Sequence, residues 1–361
     1  MKSTVLNNMN RLYWIFSLLV VTVSSCTKPD CDDGYVTTPY ELDIPKGLPP
    51  MDSFIPLDNP MTVEGVALGR KLFYDPILSG DNSQACADCH KQELGFGDPR
   101  QFSIGIDGSV GTRQAMTLIN LGWSQNGLFW DGRAETLEDL IFEPVVNPIE
   151  MNTTWAEVET KLNNSEDYTA LFAQAYNTDV IDSTHVSKAI SQFIRTLISG
   201  DSKFDKWYNQ QAIQLTDAET RGFILFNGEG ADCFHCHGLG GLITDNKFHN
   251  NGLDVEFSAD EGRYLVTGDA ADKGKFRTPT LRNIQLTAPY MHDGRFFTLE
   301  QAVNHYSEEV KDSETLDPLM KLVGEGGAQL TMAEKQDLVA FLRTLTDEEF
   351  LSNPEFSNPN P

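Results

Sequence analysis

The sequence is poor in basic residues. Its 361 residues include 27 lysines and arginines against 53 aspartates and glutamates, which gives a formal net charge of −26 at pH 7. Because nucleic-acid binding depends on neutralising phosphates with cations, nucleic acid is not an expected partner. The acidity can steer a basic protein partner toward the chain, or it can simply keep an exported protein soluble.

A long apolar run is also missing. The clearest apolar stretch runs from Leu12 to Val23, whereas a membrane-spanning helix needs about 20 residues. Basic residues precede it and two serines and Cys26 follow it, as in a lipoprotein-type signal peptide over residues 1–25. Cys26 would then be the lipidated N-terminus. The alternative is an ordinary signal peptide with a Cys26–Cys31 disulfide, and both interpretations place the mature chain outside the cytoplasm.

Cysteine is scarce, and its six copies fall in three pairs. Two pairs are followed at once by a histidine, in CADCH at 86–90 and CFHCH at 233–237, which is the C-x-x-C-H signature of c-type haem attachment. Two thiols three residues apart reach the two vinyl groups of one porphyrin, and the adjacent histidine is placed under the iron as proximal ligand. The predicted haem residues are Cys86, Cys89 and His90 in the first motif and Cys233, Cys236 and His237 in the second.

Two other kinds of site also use closely spaced cysteines. A zinc site and a thioredoxin-like redox pair both accept a C-x-x-C spacing. Neither explains why a histidine follows the second cysteine in both motifs. The expected cofactors are therefore two covalently bound haem c groups, one at each motif.

The two motifs belong to two related halves of the chain. The shared segments are GRKLF at 69–73 and GFILF at 222–226, TLIN at 117–120 and TLRN at 280–283, and DGR followed by TLE beginning at Asp131 and at Asp293. The last pair is offset by 162 residues, close to the 147 residues between the haem motifs. A duplication of one haem domain is the simplest account.

The hydrophobic periodicity predicts a mostly α-helical fold. Residues 186–199 and 332–345 carry apolar side chains at helical spacing, and few stretches alternate as strands do. We expect two homologous cytochrome c-like domains. The expected division is a tether at 26–45, an N-terminal haem domain at 46–205, a C-terminal haem domain at 206–350 and a loose tail at 351–361.

These features together resemble the bacterial di-haem cytochrome c peroxidases and MauG. The resemblance rests on the duplicated C-x-x-C-H motifs, on FWDGRA at 129–134, and on TPTLRN at 278–283 running on to APYMHDG at 288–294. It extends over about residues 50–345 and implies that hydrogen peroxide binds at the N-terminal haem, with His90 as proximal ligand. The C-terminal haem, with His237, would pass electrons from a cytochrome c or similar donor.

The resemblance also bears on the distal side of the first haem. In the peroxidases a loop histidine often blocks the peroxidatic iron until reduction, yet this sequence has no histidine between Lys91 and Glu138, so an open iron is expected. Glu138 matches the family's acid–base glutamate, which can move a proton between the peroxide oxygens. The alternative is an ordinary acid placed in a first helical turn by the helix dipole. Leu128 stands where the family has a distal glutamine.

A second implied role concerns the sixth ligand of the C-terminal haem. The peroxidases have a methionine fourteen residues after the histidine of the HDG motif, and MauG has a tyrosine there, which corresponds to Tyr306. A thioether raises the haem potential, whereas a phenolate favours Fe(III) and higher oxidation states. Tyr306 is the expected ligand. The alternatives are His305 or neither residue, because neighbouring positions of a helix cannot both face the iron.

The family also binds a calcium ion between its haems. The matching positions are Gln114, where the family usually has asparagine, and the backbone carbonyls of Thr287 and Pro289. Trp123 is the nearest candidate for the family's bridging tryptophan.

The expected function is reduction of hydrogen peroxide to water in the periplasm or cell envelope, by a chain anchored through a lipid. One alternative is MauG-like oxidation of a protein or organic substrate by a high-valent di-haem state, which Tyr306 favours. Another is a non-catalytic electron carrier or sensor, although carriers usually keep both axial positions of the iron filled.

Overall fold

Helices form most of the regular structure in residues 35–320 and 322–360, the part of the chain that the computed structural model describes. The predicted signal peptide, with Cys26 and Cys31, lies outside these residues. The helices are α1 (Val63–Tyr74), α2 (Leu137–Val146), α3 (Trp155–Asn163), α4 (Glu166–Tyr176), α5 (Ser183–Thr196), α6 (Lys203–Tyr208), α7 (Asp217–Phe226), α8 (Tyr264–Thr267), α9 (Leu299–Asn304), α10 (Met332–Arg343) and α11 (Glu348–Ser352). The prediction of a mostly α fold is confirmed.

Strands are few. β1 (Phe248–His249) pairs antiparallel with β2 (Phe276–Arg277), and this is the one sheet in the described part of the chain. Both haem motifs begin in short 3₁₀ turns, Cys86–Asp88 and Cys233–His235. Within the described residues, no helix has the length and apolar character that crossing a membrane requires.

The two halves pack their helices in the same way. In the first half α1, which precedes the haem motif, packs on α5, and α2, which follows the DGR turn, packs on the same helix. In the second half α7 and α9 pack on α10 in the same relation. Each later helix begins with a threonine that caps it, Thr136 for α2 and Thr298 for α9, as the sequence predicts.

One glycine in each half allows these helices to approach closely. A methyl group on Gly69 of α1 would lie 1.9 Å from the carbonyl oxygen of Ala189 on α5. A methyl group on Gly222 of α7 would lie 1.9 Å from the carbonyl oxygen of Asp337 on α10. The glycine that begins both GRKLF and GFILF is therefore explained by backbone-to-backbone contact at the crossing of two helices.

The apolar side chains form two clusters. The first gathers residues between 68 and 197, and the second gathers residues between 204 and 345. Phe350 and Phe356 return to the first cluster from the end of the chain. There the hydroxyl of Tyr74 donates to the carbonyl of Phe356 at 2.6 Å, and Arg70 donates to the carbonyl of Ser357 at 2.7 Å. The segment predicted as a loose tail thus packs on the first half, where the ring of Phe356 contacts that of Phe96.

Two asparagines that end the repeated TLIN and TLRN segments meet at Ser199. Asn120 and Asn283 both have left-handed backbone angles, with φ of 57° and 58°. Asn120 exchanges hydrogen bonds of 2.9 Å with the backbone of Ser199, and Asn283 donates to the Ser199 hydroxyl at 3.0 Å. The buried carboxylate of Asp347 accepts from the same hydroxyl at 3.0 Å. The duplicated segments therefore join the two halves through one polar cluster.

The glycine contacts make a direct prediction about stability. Replacing Gly69 or Gly222 with alanine should destabilise the protein by about 1–3 kcal/mol or more, since the helix backbones must separate to admit a methyl group. Gly324→Ala is the matched control, because nothing lies within 4 Å of its added Cβ. Thermal unfolding of the purified holoprotein measures the effect. Equal melting temperatures for all three variants would contradict the helix-crossing explanation.

Candidate active site at the two haem motifs

The first motif holds its histidine through one ring nitrogen. Nδ1 of His90 lies 2.9 Å from the carbonyl oxygen of Phe96, whose φ of 56° is left-handed. Burial lowers the pKa of His90, so the ring is neutral, as a metal ligand must be. With Nδ1–H donated to a carbonyl, Nε2 carries the lone pair that is available to a metal.

The second motif repeats this arrangement 147 residues later. Nδ1 of His237 lies 3.3 Å from the carbonyl oxygen of Ile243, whose φ of 54° is again left-handed. Burial lowers the pKa of His237 to about 4. Both halves therefore contain a neutral imidazole, held by the backbone carbonyl six residues later, directly after a pair of cysteines.

A large apolar cavity lies beside the second motif. Its empty volume, with its open mouth included, is about 1820 Å³. Cys233, Cys236 and His237 line one part of it, and Tyr306 and Met291 also line it. Much of the remaining wall is apolar, from Phe226, Leu281, Ile284, Leu299, Val303, Leu338 and Leu342. Size, apolar lining and the positions of thiols and imidazole all fit a covalently attached porphyrin.

The rival kinds of cysteine site fit less well. None of the four described cysteines is in a disulfide, and burial raises the pKa of the Cys86 and Cys233 thiols to about 12. Within residues 35–320 and 322–360, the one group of three close metal-ligating side chains is Glu229, Asp232 and His235. Neither cysteine pair belongs to it.

Tyr306 and His305 have different surroundings. Both lie in a π-helical turn, His305–Glu309, that continues α9. Tyr306 lines the cavity and its hydroxyl accepts from Nδ2 of Asn251 at 3.1 Å, while burial raises its pKa to about 12. His305 is buried away from the cavity lining, and its Nε2 lies 3.1 Å from the carbonyl oxygen of Asn251. Of the two candidate ligands, Tyr306 is the one on the cavity wall.

A charged histidine also lines this cavity. His249 lies between two carboxylates, 2.9 Å from Asp245 and 2.5 Å from Asp317. The hydrogen bond with Asp245, with Asp317 contributing, raises the pKa of His249 to about 11. It is therefore an imidazolium at neutral pH and has no free lone pair for a metal.

Glu138 is held on two sides by buried groups. Asn59 donates from Nδ2 to its Oε1 at 2.6 Å, and Arg195 of α5 donates from Nη2 to its Oε2 at 2.9 Å. Arg195 is 3% exposed and Asn59 is 1% exposed. Thr136 and Asp139 already form the capping box of α2, so capping does not account for the position of Glu138. No hydrogen bond in the described residues joins Glu138 to His90.

The second half contains the same ion pair at its surface. Glu300 and Arg343 occupy the matching positions on α9 and α10 and approach to 3.1 Å. Their side chains are 59% and 54% exposed, compared with 18% for Glu138 and 3% for Arg195. The pair is therefore mostly buried in the half that contains His90 and exposed in the other half. Six residues after Glu300 comes Tyr306, whereas the matching position in the first half is Pro144, inside α2.

The predicted calcium residues are found at the large cavity beside the second motif. Gln114, Thr287 and Pro289 all line it. The carbonyl of Gln114 accepts from the indole nitrogen of Trp130 at 2.8 Å. Trp130 lines the cavity as well, whereas Trp123 donates to the carbonyl of Pro49 and is absent from the lining. Of these two tryptophans, Trp130 is therefore the one that lines the large cavity. In the sequence it stands out only as part of the FWDGRA motif.

Several site residues were not anticipated from the sequence. Asn59 and Asn251 lie in loops without a motif, and no local signal marks them. Arg195 could have been found, because RTL occurs at 195–197 and again at 343–345, at the offset of the duplication. Arg277 directly precedes the TPTLRN motif and also lines the cavity.

Known proteins resemble this chain over most of its length. A profile of the family described as di-haem cytochrome c peroxidase matches residues 63–212. MauG of Methylophilus methylotrophus is 34% identical over 308 residues, covering 82% of this chain and 89% of that protein. Cytochrome c551 peroxidase of Nitrosomonas europaea is 34% identical over 304 residues, covering 83% and 84%.

The fold is shared with solved structures. The crystal structure of a MauG-like protein associated with microbial copper homeostasis is 39% identical, has a TM-score of 0.80, and covers 89% of this chain and 99% of its own. The diheme peroxidase BthA of Burkholderia thailandensis has a TM-score of 0.72 at 23% identity, which speaks for the fold alone. The chain belongs to the family of di-haem cytochrome c peroxidases and MauG, and it is an oxidoreductase.

Proposed function

We propose that this chain carries a covalently bound haem c at each motif and reduces hydrogen peroxide to water at the His90 haem. Two electrons and two protons convert each peroxide to two waters. The electrons would come from a cytochrome c or similar donor through the His237 haem. The observation that carries the proposal is the matched pair of neutral, carbonyl-anchored histidines combined with a mostly buried glutamate in the first half alone.

Bound haem would supply the iron that receives peroxide and the redox equivalents for its reduction. The chain itself supplies the ligand nitrogen of His90 and, through Glu138, a group that can move a proton from one peroxide oxygen to the other. Asn59 donates to Oε1 of that carboxylate, and Arg195 donates to Oε2 and also lies 2.9 Å from Oε1. This two-sided hold fixes the orientation of Glu138, which general acid–base catalysis requires.

The first half offers no counterpart to Tyr306 as an axial ligand. The matching residue is Pro144, whose side chain has no donor atom, and no histidine lies between residues 91 and 138. Both facts support an iron whose distal side is open to peroxide in the ferric state. An open iron separates a peroxidase from a simple electron carrier.

At the second motif, Tyr306 would be the sixth ligand opposite His237. Its position on the cavity wall and the donated hydrogen bond from Asn251 support this role, because a donor to the phenolic oxygen favours the charged form of that group. A phenolate stabilises Fe(III), so this haem would accept electrons reluctantly.

That property favours a second candidate function, MauG-like oxidation of a protein or organic substrate. Two-electron oxidation of a partner, without turnover of reduced cytochrome c, would identify it.

We also propose that the chain is exported and that it binds a calcium ion. Export to the periplasm or cell envelope, with a lipid on Cys26, would place the chain where c-type haem proteins and peroxide meet. A calcium ion would use oxygen atoms of Gln114, Thr287 and Pro289, which all line the large cavity.

The reaction with peroxide tests the proposed role of Glu138. Mixing the fully ferric holoprotein with one equivalent of hydrogen peroxide in a stopped-flow spectrometer should change the haem spectrum rapidly, without prior reduction. Glu138→Gln should slow this reaction on the order of 10²-fold or more, because the proton-transfer group is lost. Glu300→Gln, the matched glutamate of the second half, should react at the wild-type rate.

Two results would count against this account. If the ferric protein is inert while a half-reduced sample reacts, the first iron is closed and the protein is a reductively activated peroxidase. If Glu138→Gln and Glu300→Gln react equally fast, Glu138 has no part in the chemistry.

The ligand at the second haem is tested by its midpoint potential. Tyr306→Met should raise that potential by on the order of 100 mV and shorten the lifetime of the oxidised species formed with peroxide, because a thioether replaces a phenolate. His305→Gln should leave the potential and the ferric spectrum unchanged. A spectral change in the His305 variant, with none in the Tyr306 variant, would assign the ligand to His305 instead.

A further inference from the structure

Arg277 is a buried cation without a carboxylate partner. It ends β2 and is 5% exposed. Its Nη2 donates to the hydroxyl of Ser124 at 2.6 Å and to the side-chain oxygen of Asn246 at 2.5 Å, which are both neutral groups. Its Nε is buried without a hydrogen-bond partner. No carboxylate of the described residues forms an ion pair with it, and the charge of Asp245 acts on it only from a greater distance. Burial lowers the pKa of Arg277 to about 10.

Other deeply buried arginines of this chain are paired with acids. Arg282 is fully buried and makes two hydrogen bonds, of 2.8 and 2.9 Å, to the carboxylate of Asp205. Arg195 forms an ion pair with Glu138, with one hydrogen bond of 2.9 Å from Nη2, although its Nε has no hydrogen-bond partner. A buried charge without a partner costs several kcal/mol, and chains rarely keep one unless an anion arrives from elsewhere. The neutral partners of Arg277 therefore point to an anion that the polypeptide does not provide.

The position of Arg277 narrows the choice of anion. It lines the large cavity together with Cys233, Cys236 and His237. It also lines a smaller cavity of about 330 Å³, whose wall is shared by residues 116–121 of the first half and residues 242–280 of the second. Its backbone N–H donates to the carbonyl of Trp130 at 2.8 Å, which holds β2 against the first half. An anion bound here would lie at the wall common to both cavities.

We propose that Arg277 binds a propionate carboxylate of a haem, and that this contact helps to set the reduction potential of that haem. The inference rests on the proposed attachment of haem c at the two motifs. Propionates are the anionic groups of a porphyrin, and guanidinium groups bind carboxylates in a fork geometry that uses Nε. The haem of the second motif is the favoured source, since Arg277 shares the larger cavity with its attachment residues.

The direction in which this contact shifts the haem reduction potential can be predicted from the charges. An uncompensated propionate places negative charge beside the iron and stabilises Fe(III) over Fe(II). A buried guanidinium cancels this charge at short range, where screening by water is weak. Loss of the Arg277 cation should therefore lower the midpoint potential of the haem whose propionate it binds, while the other haem changes little.

Spectroelectrochemical titration of the holoprotein tests the proposal, after a pyridine haemochrome assay has counted the haems. Arg277→Gln should shift one midpoint downward, and Arg277→Lys, which keeps the charge, should restore most of the shift. Arg343→Gln removes an exposed cation of the same half and should leave both midpoints unchanged. The haem that moves identifies the source of the propionate, from the second motif or from the first.

The haem count tests the proposed attachment of haem c, and the midpoint potentials test the contact between Arg277 and a propionate. Fewer than two haems in the wild type would overturn the proposed attachment. Two haems with wild-type midpoints in Arg277→Gln would overturn the propionate contact. If the glutamine variant fails to fold, resonance Raman spectra of wild type and Arg277→Lys decide the matter. A shifted propionate bending mode supports the contact, and identical modes contradict it.

Discussion

The proposed site depends on holding one nitrogen of an imidazole so that the other is left available to a haem iron. In each half a backbone carbonyl six residues after the motif histidine accepts from Nδ1, and the residue that carries it, Phe96 or Ile243, adopts a left-handed conformation that few side chains tolerate. That local cost is met by the packing around it. A helix pair in close contact at Gly69 or Gly222 gives each half a rigid frame on which the motif turn is built.

The two halves share this arrangement of helices and motif turn, but they differ in which side chains are buried. The same glutamate–arginine pair occurs in both halves, yet only Glu138 and Arg195 are mostly buried, and partial burial strengthens the attraction between their charges. The two halves also differ at the position of the candidate axial ligand. The second half has Tyr306 on the wall of the large cavity, and the first half has Pro144 at the matching position. One half thus has the glutamate proposed for acid–base chemistry and a proline at the axial position, and the other has a candidate sixth ligand.

The features that depend on residues close together in the chain could be predicted from the sequence. The C-x-x-C-H spacing, the capping threonines, the helical periodicity and the repeat all lie within a few residues of one another. The mostly α fold and the family follow from them. Long-range contacts could not be predicted in this way. Nothing near Asn59 indicates that it holds Glu138, and nothing in the Asn/Pro-rich end indicates that Phe356 packs on the first half. Trp123 and Trp130 are both buried, and only the fold shows which one lines the second cavity.

The central claim is that the two haem centres differ in coordination, with the His90 iron open and the His237 iron closed by Tyr306. Electron paramagnetic resonance of the fully ferric holoprotein at low temperature tests this most directly. The account predicts one high-spin ferric signal from the open site and one low-spin signal from the six-coordinate site. It further predicts that Tyr306→Met changes the low-spin signal alone. Two low-spin signals with no high-spin component would contradict the claim.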